Sequence, residues 1–141
     1  SEEYLNSEKY QLRHWNIEDP QNLQTYIARV NEIRKKHLAL HSNRTLRFHS
    51  TDQPFLISYS KTDPDKEDVI LVVVNLHHQN LQSGFVDLDL AELGVAPNQT
   101  FRVHDLLTDQ SYQWTGPRNY IQLEAGRSHI FHVETDQAPS A

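Results

Sequence analysis

Residues 69–76 read Val-Ile-Leu-Val-Val-Val-Asn-Leu, an almost wholly apolar run that is rich in β-branched side chains. β-Branched residues are enriched in strands, and a strand without polar alternation is typical of a buried position in a sheet. We therefore predict that this run forms the central strand of the core and that the other elements pack around it.

Seven other short runs have extended patterns, and turn-forming residues separate them. The turn signals include Asp63-Pro64-Asp65, Ala96-Pro97-Asn98 and Ser83-Gly84, which supply a fixed φ, a positive φ or a side-chain turn bond. Eight short strands at this spacing indicate an antiparallel β-sandwich, so the predicted fold class is mainly β. The run at 85–90 alternates and should keep one face in water. The seven runs are residues 45–49, 55–60, 85–90, 100–104, 112–114, 120–123 and 129–133.

A helix is predicted ahead of the strands, over residues 20–40. Asp19 can accept hydrogen bonds from the first free amides, and Pro20 has its φ preset for the first helical position. Apolar residues recur there at helical spacing and form one stripe. We expect the isolated chain to self-associate through part of this stripe, namely Leu23, Ile27, Val30 and Ile33.

Composition limits the function further. The chain has 141 residues, the size of one ordinary domain, and its net charge of −6 argues against a nucleic-acid partner. It has no cysteine, and no apolar run approaches the ~18 residues needed to cross a membrane. We therefore expect no membrane partner and a cytoplasmic location. The chain also lacks methionine, so we expect it to be one end of a longer protein.

The residues that suggest chemistry have simpler structural explanations. Asp87 and Asp89 lie on one face of a predicted strand at a spacing that resembles a glycosidase pair, but a polar strand face in water explains them better. His37 and His41 have the spacing of a helical ligand pair, yet no third ligand is fixed by the sequence. A glycine-rich phosphate loop and a nucleophile elbow are absent from the sequence. We therefore predict no metal, no cofactor and no catalysis by this chain alone.

The segment at residues 3–15 has two interpretations. Lys9 can supply a charge for a phosphate or a donor for sugar hydroxyls, and Tyr10 can stack on a pyranose and bond to it. Alternatively, the segment is an exposed loop that happens to contain aromatic and charged residues, with Trp15 packed against the following helix. Composition alone favours the second interpretation.

Several separated motifs, in the same order, resemble the C-terminal end of the maltosyltransferases of the α-amylase superfamily. These bacterial glycosyltransferases extend α-1,4-glucans from maltose 1-phosphate. The matching stretches are residues 3–15, the Asp19-Pro20 helix start, residues 28–34, residues 104–108, Tyr112 and Trp114. Aspartate is usual in the family where this chain has Asn6 and Asn16, so the loop that contains them departs from the pattern.

The resemblance implies three parts. Residues 1–44 would be the end of the catalytic (β/α)8 barrel, comprising its last loop and final helix. Residues 45–134 would be the C-terminal β-sandwich, and residues 135–141 a disordered tail. The family's contacts to maltose 1-phosphate fall on Lys9 and Tyr10, in agreement with the rule that barrel sites gather after the strands. The catalytic carboxylates would lie upstream of residue 1, so no catalytic residue is predicted here.

The implied reaction is a retaining transfer of a maltosyl unit from maltose 1-phosphate to an α-1,4-glucan. This chain would complete the donor site and brace the barrel without being active alone. Two alternatives remain at this point. The parent could be another α-amylase-superfamily hydrolase or a trehalose-forming enzyme. The chain could also be a stand-alone carbohydrate-binding module with Tyr112, Trp114 and Tyr120 as its stacking platform.

Overall fold

The computed structural model of the chain describes residues 20–42, 44–65 and 67–135. Helix α1 (Pro20–Lys36) is followed by a short 3-10 helix (Leu38–His41) and then by eight strands. The predicted helix ends earlier than expected, because His37 adopts an extended backbone conformation with φ −112° and ψ 111°. The strands are β1 (Arg47–Thr51), β2 (Leu56–Thr62), β3 (Val69–Asn75), β4 (Gln82–Asp87), β5 (Thr100–Asp105), β6 (Ser111–Thr115), β7 (Arg118–Leu123) and β8 (Ser128–Thr135).

The strand order confirms the predicted place of the apolar run. Neighbouring strands follow the order β6-β5-β8-β3-β2-β1-β4-β7, and every described pair is antiparallel. β3 therefore lies in the middle, between β2 and β8. Leu71 of β3 stands opposite Ser60 on one side and Phe131 on the other.

The sheet folds over at β1 to give two layers. The first half of β1 pairs with β2, where His49 stands opposite Ser58. The second half pairs with β4, where Thr51 stands opposite Val86. Because one strand changes partner along its length, β4 and β7 form a layer that faces the layer containing β3. This arrangement confirms the predicted antiparallel sandwich.

The main core fills the space between the two layers. Val69, Leu71 and Val73 are buried there from β3, as are Val86 of β4 and Ile121 of β7. Apolar residues buried from both layers are what a sandwich requires, since each sheet must cover one face of the other. The alternation predicted for residues 85–90 is also confirmed. Val86, Leu88 and Leu90 are buried, whereas Phe85 and Asp89 are exposed.

The opposite face of β3 is covered as well. Ile70 and Val72 point away from the main core and form a second buried cluster with Ala39 of the 3-10 helix. Successive side chains of a strand point to opposite faces, so a strand covered on both sides must be apolar at every position. The short helical segment after α1 therefore explains why residues 69–74 contain no polar residue.

The turn predicted at Ser83-Gly84 is wrong. Ser83-Gly84 was expected to lie between strands, but both residues pair with β7 inside β4. A Cβ at Gly84 would lie 2.7 Å from Oδ1 of Asp52 and 2.8 Å from Cβ of Gln53. The glycine is thus needed because the loop after β1 approaches the strand closely, a recognised reason for glycine within a strand.

Replacing Gly84 with alanine should therefore lower the free energy of unfolding by about 1–3 kcal/mol, the usual cost of overpacking. Asp52 cannot easily move aside, because its Oδ1 accepts a hydrogen bond of 2.8 Å from the Phe85 amide. Urea unfolding monitored by circular dichroism measures the change, with Ser83→Ala on the same strand as the matched control. Equal stability of the two variants would contradict the proposed contact.

Candidate functional site

The predicted sugar-contacting residues, Lys9 and Tyr10, lie outside the described part of the chain. The structure does describe the elements that follow them, namely α1, the 3-10 helix and the sandwich. The contacts among these elements determine how a site carried by the first residues would be supported.

Arg29 joins α1 to the turn between β5 and β6. Its Nε donates a hydrogen bond of 2.9 Å to the carbonyl oxygen of Leu106, and its Nη2 lies 3.7 Å from Oδ1 of Asp109. One turn further along the helix, Ile33 is almost fully buried. Ile33 is therefore buried within the chain and is not available for the predicted self-association, whereas Ile27 is exposed.

Asp68 joins the end of α1 to the start of β3. Its Oδ1 is 2.8 Å from Nδ1 of His37, and its Oδ2 accepts a hydrogen bond of 2.9 Å from the Ala39 amide. His41 turns elsewhere, because its Nε2 lies 2.8 Å from the carbonyl oxygen of Arg34. The helical His37–His41 ligand pair is thus not formed, since the helix ends before either residue.

The turn that receives Arg29 is itself fixed from inside the sandwich. Asp105 is fully buried, and its Oδ2 lies 2.7 Å from Nδ1 of the buried His129. Its Oδ1 accepts a hydrogen bond of 3.0 Å from the Leu107 amide. Asp105 thereby fixes the backbone at Leu107, next to the Leu106 carbonyl that accepts the bond from Arg29. In the sequence this aspartate only belongs to a stretch that resembles the family, and no local pattern marks its role, because its partner His129 lies on another strand.

Tyr112, Trp114 and Tyr120 do not form one exposed stacking platform. Trp114 is only 9% exposed and packs between Phe101 and Phe131, with ring centroids 6.1 Å and 5.4 Å away. Tyr112 is on the same inward face of β6, two residues away, and packs against the same core. Tyr120 is 53% exposed, but it lies on β7 in the other layer. Aromatic residues on neighbouring strands thus serve mainly as core here.

The two aspartates that resemble a glycosidase pair have structural roles. Oδ2 of Asp87 accepts a hydrogen bond of 3.1 Å from Arg118 Nη1, and Nη2 of the same guanidinium contacts Asp52 Oδ2 at 3.1 Å. The Phe85 amide and Arg118 hold the pKa of Asp52 below its ordinary value. Asp89 contributes its amide, not its carboxylate, to a bond with Nδ1 of His49 at 3.0 Å.

His49 is buried in its neutral form. Nδ1 accepts the bond from the Asp89 amide, so in the neutral ring Nε2 carries the proton and donates to Ser60 Oγ at 2.8 Å. Burial lowers the pKa of His49 from its ordinary value of 6.5, although Asp89 and Glu92 partly oppose this. The folded protein therefore resists protonation of this ring.

This burial predicts a stability loss in mild acid. Below about pH 6.5 the unfolded chain binds more protons at His49 than the folded chain does. The free energy of unfolding therefore decreases as the pH is lowered through this range. His49→Gln should show a smaller fall between pH 7.5 and 5.5, whereas the exposed control His78→Gln should match the unmutated chain. Chemical denaturation at each pH measures the slopes. The same slope in His49→Gln would contradict the prediction.

Within the described residues, no helix is both long and apolar enough to cross a membrane.

Comparison with known proteins places these features in context. Residues 48–133 match the family model described as GLGE, C-terminal. The chain is 44% identical to α-1,4-glucan:maltose-1-phosphate maltosyltransferase 2 of Streptomyces coelicolor, over 100% of this chain and 22% of that protein. It is 41% identical to the maltosyltransferase of Salinibacter ruber, over 94% of this chain and 20% of that protein. The corresponding values for Mycobacterium tuberculosis are 40%, 94% and 20%.

Among solved structures, the chain resembles the crystal structure of an Anoxybacillus α-amylase with a TM-score of 0.54 and 13% identity. The likeness covers 82% of this chain and 23% of that one. At this identity it shows the fold alone. The chain spans about a fifth of the length of the curated relatives it matches.

Proposed function

Because this chain belongs to the family described as GLGE, C-terminal, we propose that the enzyme it is part of transfers maltosyl units from maltose 1-phosphate to α-1,4-glucans. The observation that carries the proposal is the 44% identity to a named maltosyltransferase over the whole chain. This match covers the whole chain and so includes the residues before the sandwich, among them Lys9 and Tyr10, which supports the proposal.

In this proposal Lys9 and Tyr10 complete the donor site. A lysine ammonium is suited to the phosphate of the donor, and a tyrosine ring can stack on a sugar while its hydroxyl bonds to it. The carboxylates of a retaining transfer, which would form and resolve a covalent maltosyl intermediate, belong to other parts of the enzyme. The chain therefore assists the reaction without supplying a catalytic residue.

The second role is to brace the barrel. Arg29, His37 and Ala39 fix α1 and the 3-10 helix to the sandwich through Leu106 and Asp68. Ile27 and Leu38 remain 48% and 63% exposed, and they provide an apolar surface for a barrel to cover. Without that cover the same surface would favour self-association of the isolated chain, which light scattering at high concentration would detect as a mass above that of the monomer.

The decisive experiment measures phosphate release by the full-length enzyme from maltose 1-phosphate, with a short maltooligosaccharide as acceptor. Lys9→Ala and Tyr10→Ala should each lower kcat/KM, and the lysine variant by about 10-fold to 100-fold, since a bond to a charged group is lost. The 141-residue chain alone should release no phosphate and show no donor binding by calorimetry.

Product analysis distinguishes the proposal from its alternative. Lengthened glucans identify a maltosyltransferase, whereas free maltose or trehalose would identify a hydrolase or a trehalose-forming enzyme. Lys61→Ala, on β2 of the sandwich, is the control variant and should keep full activity. If Lys9→Ala also keeps full activity while glucans lengthen, the reaction stands but the donor contact is wrong.

A further inference from the structure

Three side chains from separate elements meet where the 3-10 helix lies on the sheet. His37 directly follows α1, Asp68 directly precedes β3, and His132 lies on β8. Oδ1 of Asp68 is 2.8 Å from Nδ1 of His37 and 3.4 Å from Nε2 of His132. One ligand atom from each of the three lies within 4.8 Å of the others. All three side chains are partly buried.

The contacts of His132 leave a specific electrostatic problem. Its Nδ1 is 3.2 Å from Oε2 of Glu134, so both ring nitrogens face carboxylate oxygens. A neutral imidazole has one N–H and one lone pair. If Nδ1–H of the neutral ring donates to Glu134, the lone pair of Nε2 points towards Asp68, and this contact is repulsive unless a second proton on the ring or a metal cation lies between them.

Glu134 is fixed in the orientation that sets this tautomer. Nε of Arg102 donates a hydrogen bond of 2.7 Å to Oε1 of Glu134, which leaves Oε2 to accept from His132. Histidines that bind metals usually donate their other ring N–H to a carboxylate in this way. The second oxygen of Asp68 is likewise held by the Ala39 amide. Two of the three side chains therefore already have the outer contacts that orient metal ligands.

From these observations we propose that His37, Asp68 and His132 bind one divalent first-row transition metal ion, of the kind represented by Zn²⁺. Two imidazole nitrogens and one carboxylate oxygen form a ligand set that suits zinc, and water would complete a four-coordinate site. The ligand set does not suit Mg²⁺ or Ca²⁺, which prefer oxygen ligands.

The spacing and access also fit an ion. Ligand atoms of a tetrahedral zinc site are about 3.4 Å apart, so the Asp68–His132 distance already matches. The other pairs would adjust by small side-chain rotations, with the metal replacing the proton between His37 and Asp68. The three side chains are 16%, 16% and 27% exposed, so an ion can reach them from solvent.

Such a site would act as a clamp. It would connect the end of α1 to the neighbouring strands β3 and β8. Asp68 and His132 are 31 and 95 positions after His37 in the sequence. The role is structural, because none of the three side chains belongs to the proposed donor site. Metal binding at these three side chains would not require the proposed enzyme activity.

The test is a calorimetric titration of the 141-residue chain, first stripped with EDTA, with ZnCl2 at pH 7.5. We expect one high-affinity ion per chain and a higher melting temperature in zinc than in EDTA, with no such change in MgCl2. His37→Gln, Asp68→Asn and His132→Gln should each weaken binding by more than tenfold. Glu134→Gln should weaken it by about tenfold, since it changes only the outer contact.

Matched controls separate this site from accidental binding. His41→Gln changes a histidine of the same helical segment, and His104→Gln changes the cross-strand neighbour of His132; both should bind zinc as the unmutated chain does. His77→Gln removes one ring of the stacked His77–His78 pair and should also have no effect. Circular dichroism without metal verifies that each variant is folded.

Two results would overturn the proposal. The first is the lack of one-to-one binding by the unmutated chain, which no folding defect of a variant can explain. The second is unchanged affinity in folded Asp68→Asn and His132→Gln. Either result would mean that the three side chains are joined by hydrogen bonds alone and do not bind a metal ion.

Discussion

Replacing Asp105 with alanine should lower the free energy of unfolding by about 3–5 kcal/mol, the usual cost of removing one partner of a buried pair. The carboxylate is 1% exposed and bonds to His129 and to the Leu107 amide. Alanine would leave both donors buried and unsatisfied. It would also release the turn whose Leu106 carbonyl accepts the bond from Arg29.

Urea unfolding of the two variants Asp105→Ala and Asp109→Asn tests this expectation. Asp109 is in the same turn but its side chain is 70% exposed, and asparagine tolerates its positive φ of 66°. The control should therefore change stability by less than about 0.5 kcal/mol, as surface substitutions usually do. A cost of less than about 1 kcal/mol for Asp105→Ala would show that the buried pair contributes little.

Replacing Trp114 with alanine should also cost about 3–5 kcal/mol, because truncation of a buried aromatic residue leaves a cavity. Its ring is in edge-to-face contact with Phe101 and Phe131, so the loss includes these favourable ring contacts. The prediction separates two roles directly. A core tryptophan affects unfolding, whereas a sugar platform affects glucan retention.

Tyr120→Ala is the matched control, since Tyr120 is an exposed aromatic of the other layer that contacts Phe85 at 5.5 Å. We expect its cost to stay below about 1 kcal/mol. Both variants should be compared by denaturant unfolding and by retention on an α-glucan resin. If Trp114→Ala lost glucan retention while keeping its stability, the assignment of this residue to the core would be wrong.

Sequence patterns predicted the sandwich well because its strands are strongly marked. The apolar run before Leu76 and the alternation of Val86, Leu88 and Leu90 both follow from strand geometry. Gly84 was misplaced because a close approach by another loop gives the same residue type as a turn. The helix end was misplaced because the bond between Asp68 and His37 joins residues far apart in sequence.

The site was less accessible to sequence reasoning, for a related physical reason. The prediction that Lys9 and Tyr10 contact the donor depended on a family resemblance, since a segment without regular periodicity gives no pattern to interpret. The group of His37, Asp68 and His132 was missed because each residue comes from a different element. Spacing within one helix, as between His37 and His41, was the only signal available, and it pointed to the wrong partner.

The change of partner along β1 has a consequence for how the domain unfolds. Its first half is bonded to one layer and its second half to the other. Detaching β1 would break its hydrogen bonds to β2 and to β4 together, and both of these strands would then have an unpaired edge. The two layers are therefore expected to melt as a single cooperative unit rather than as independent subdomains.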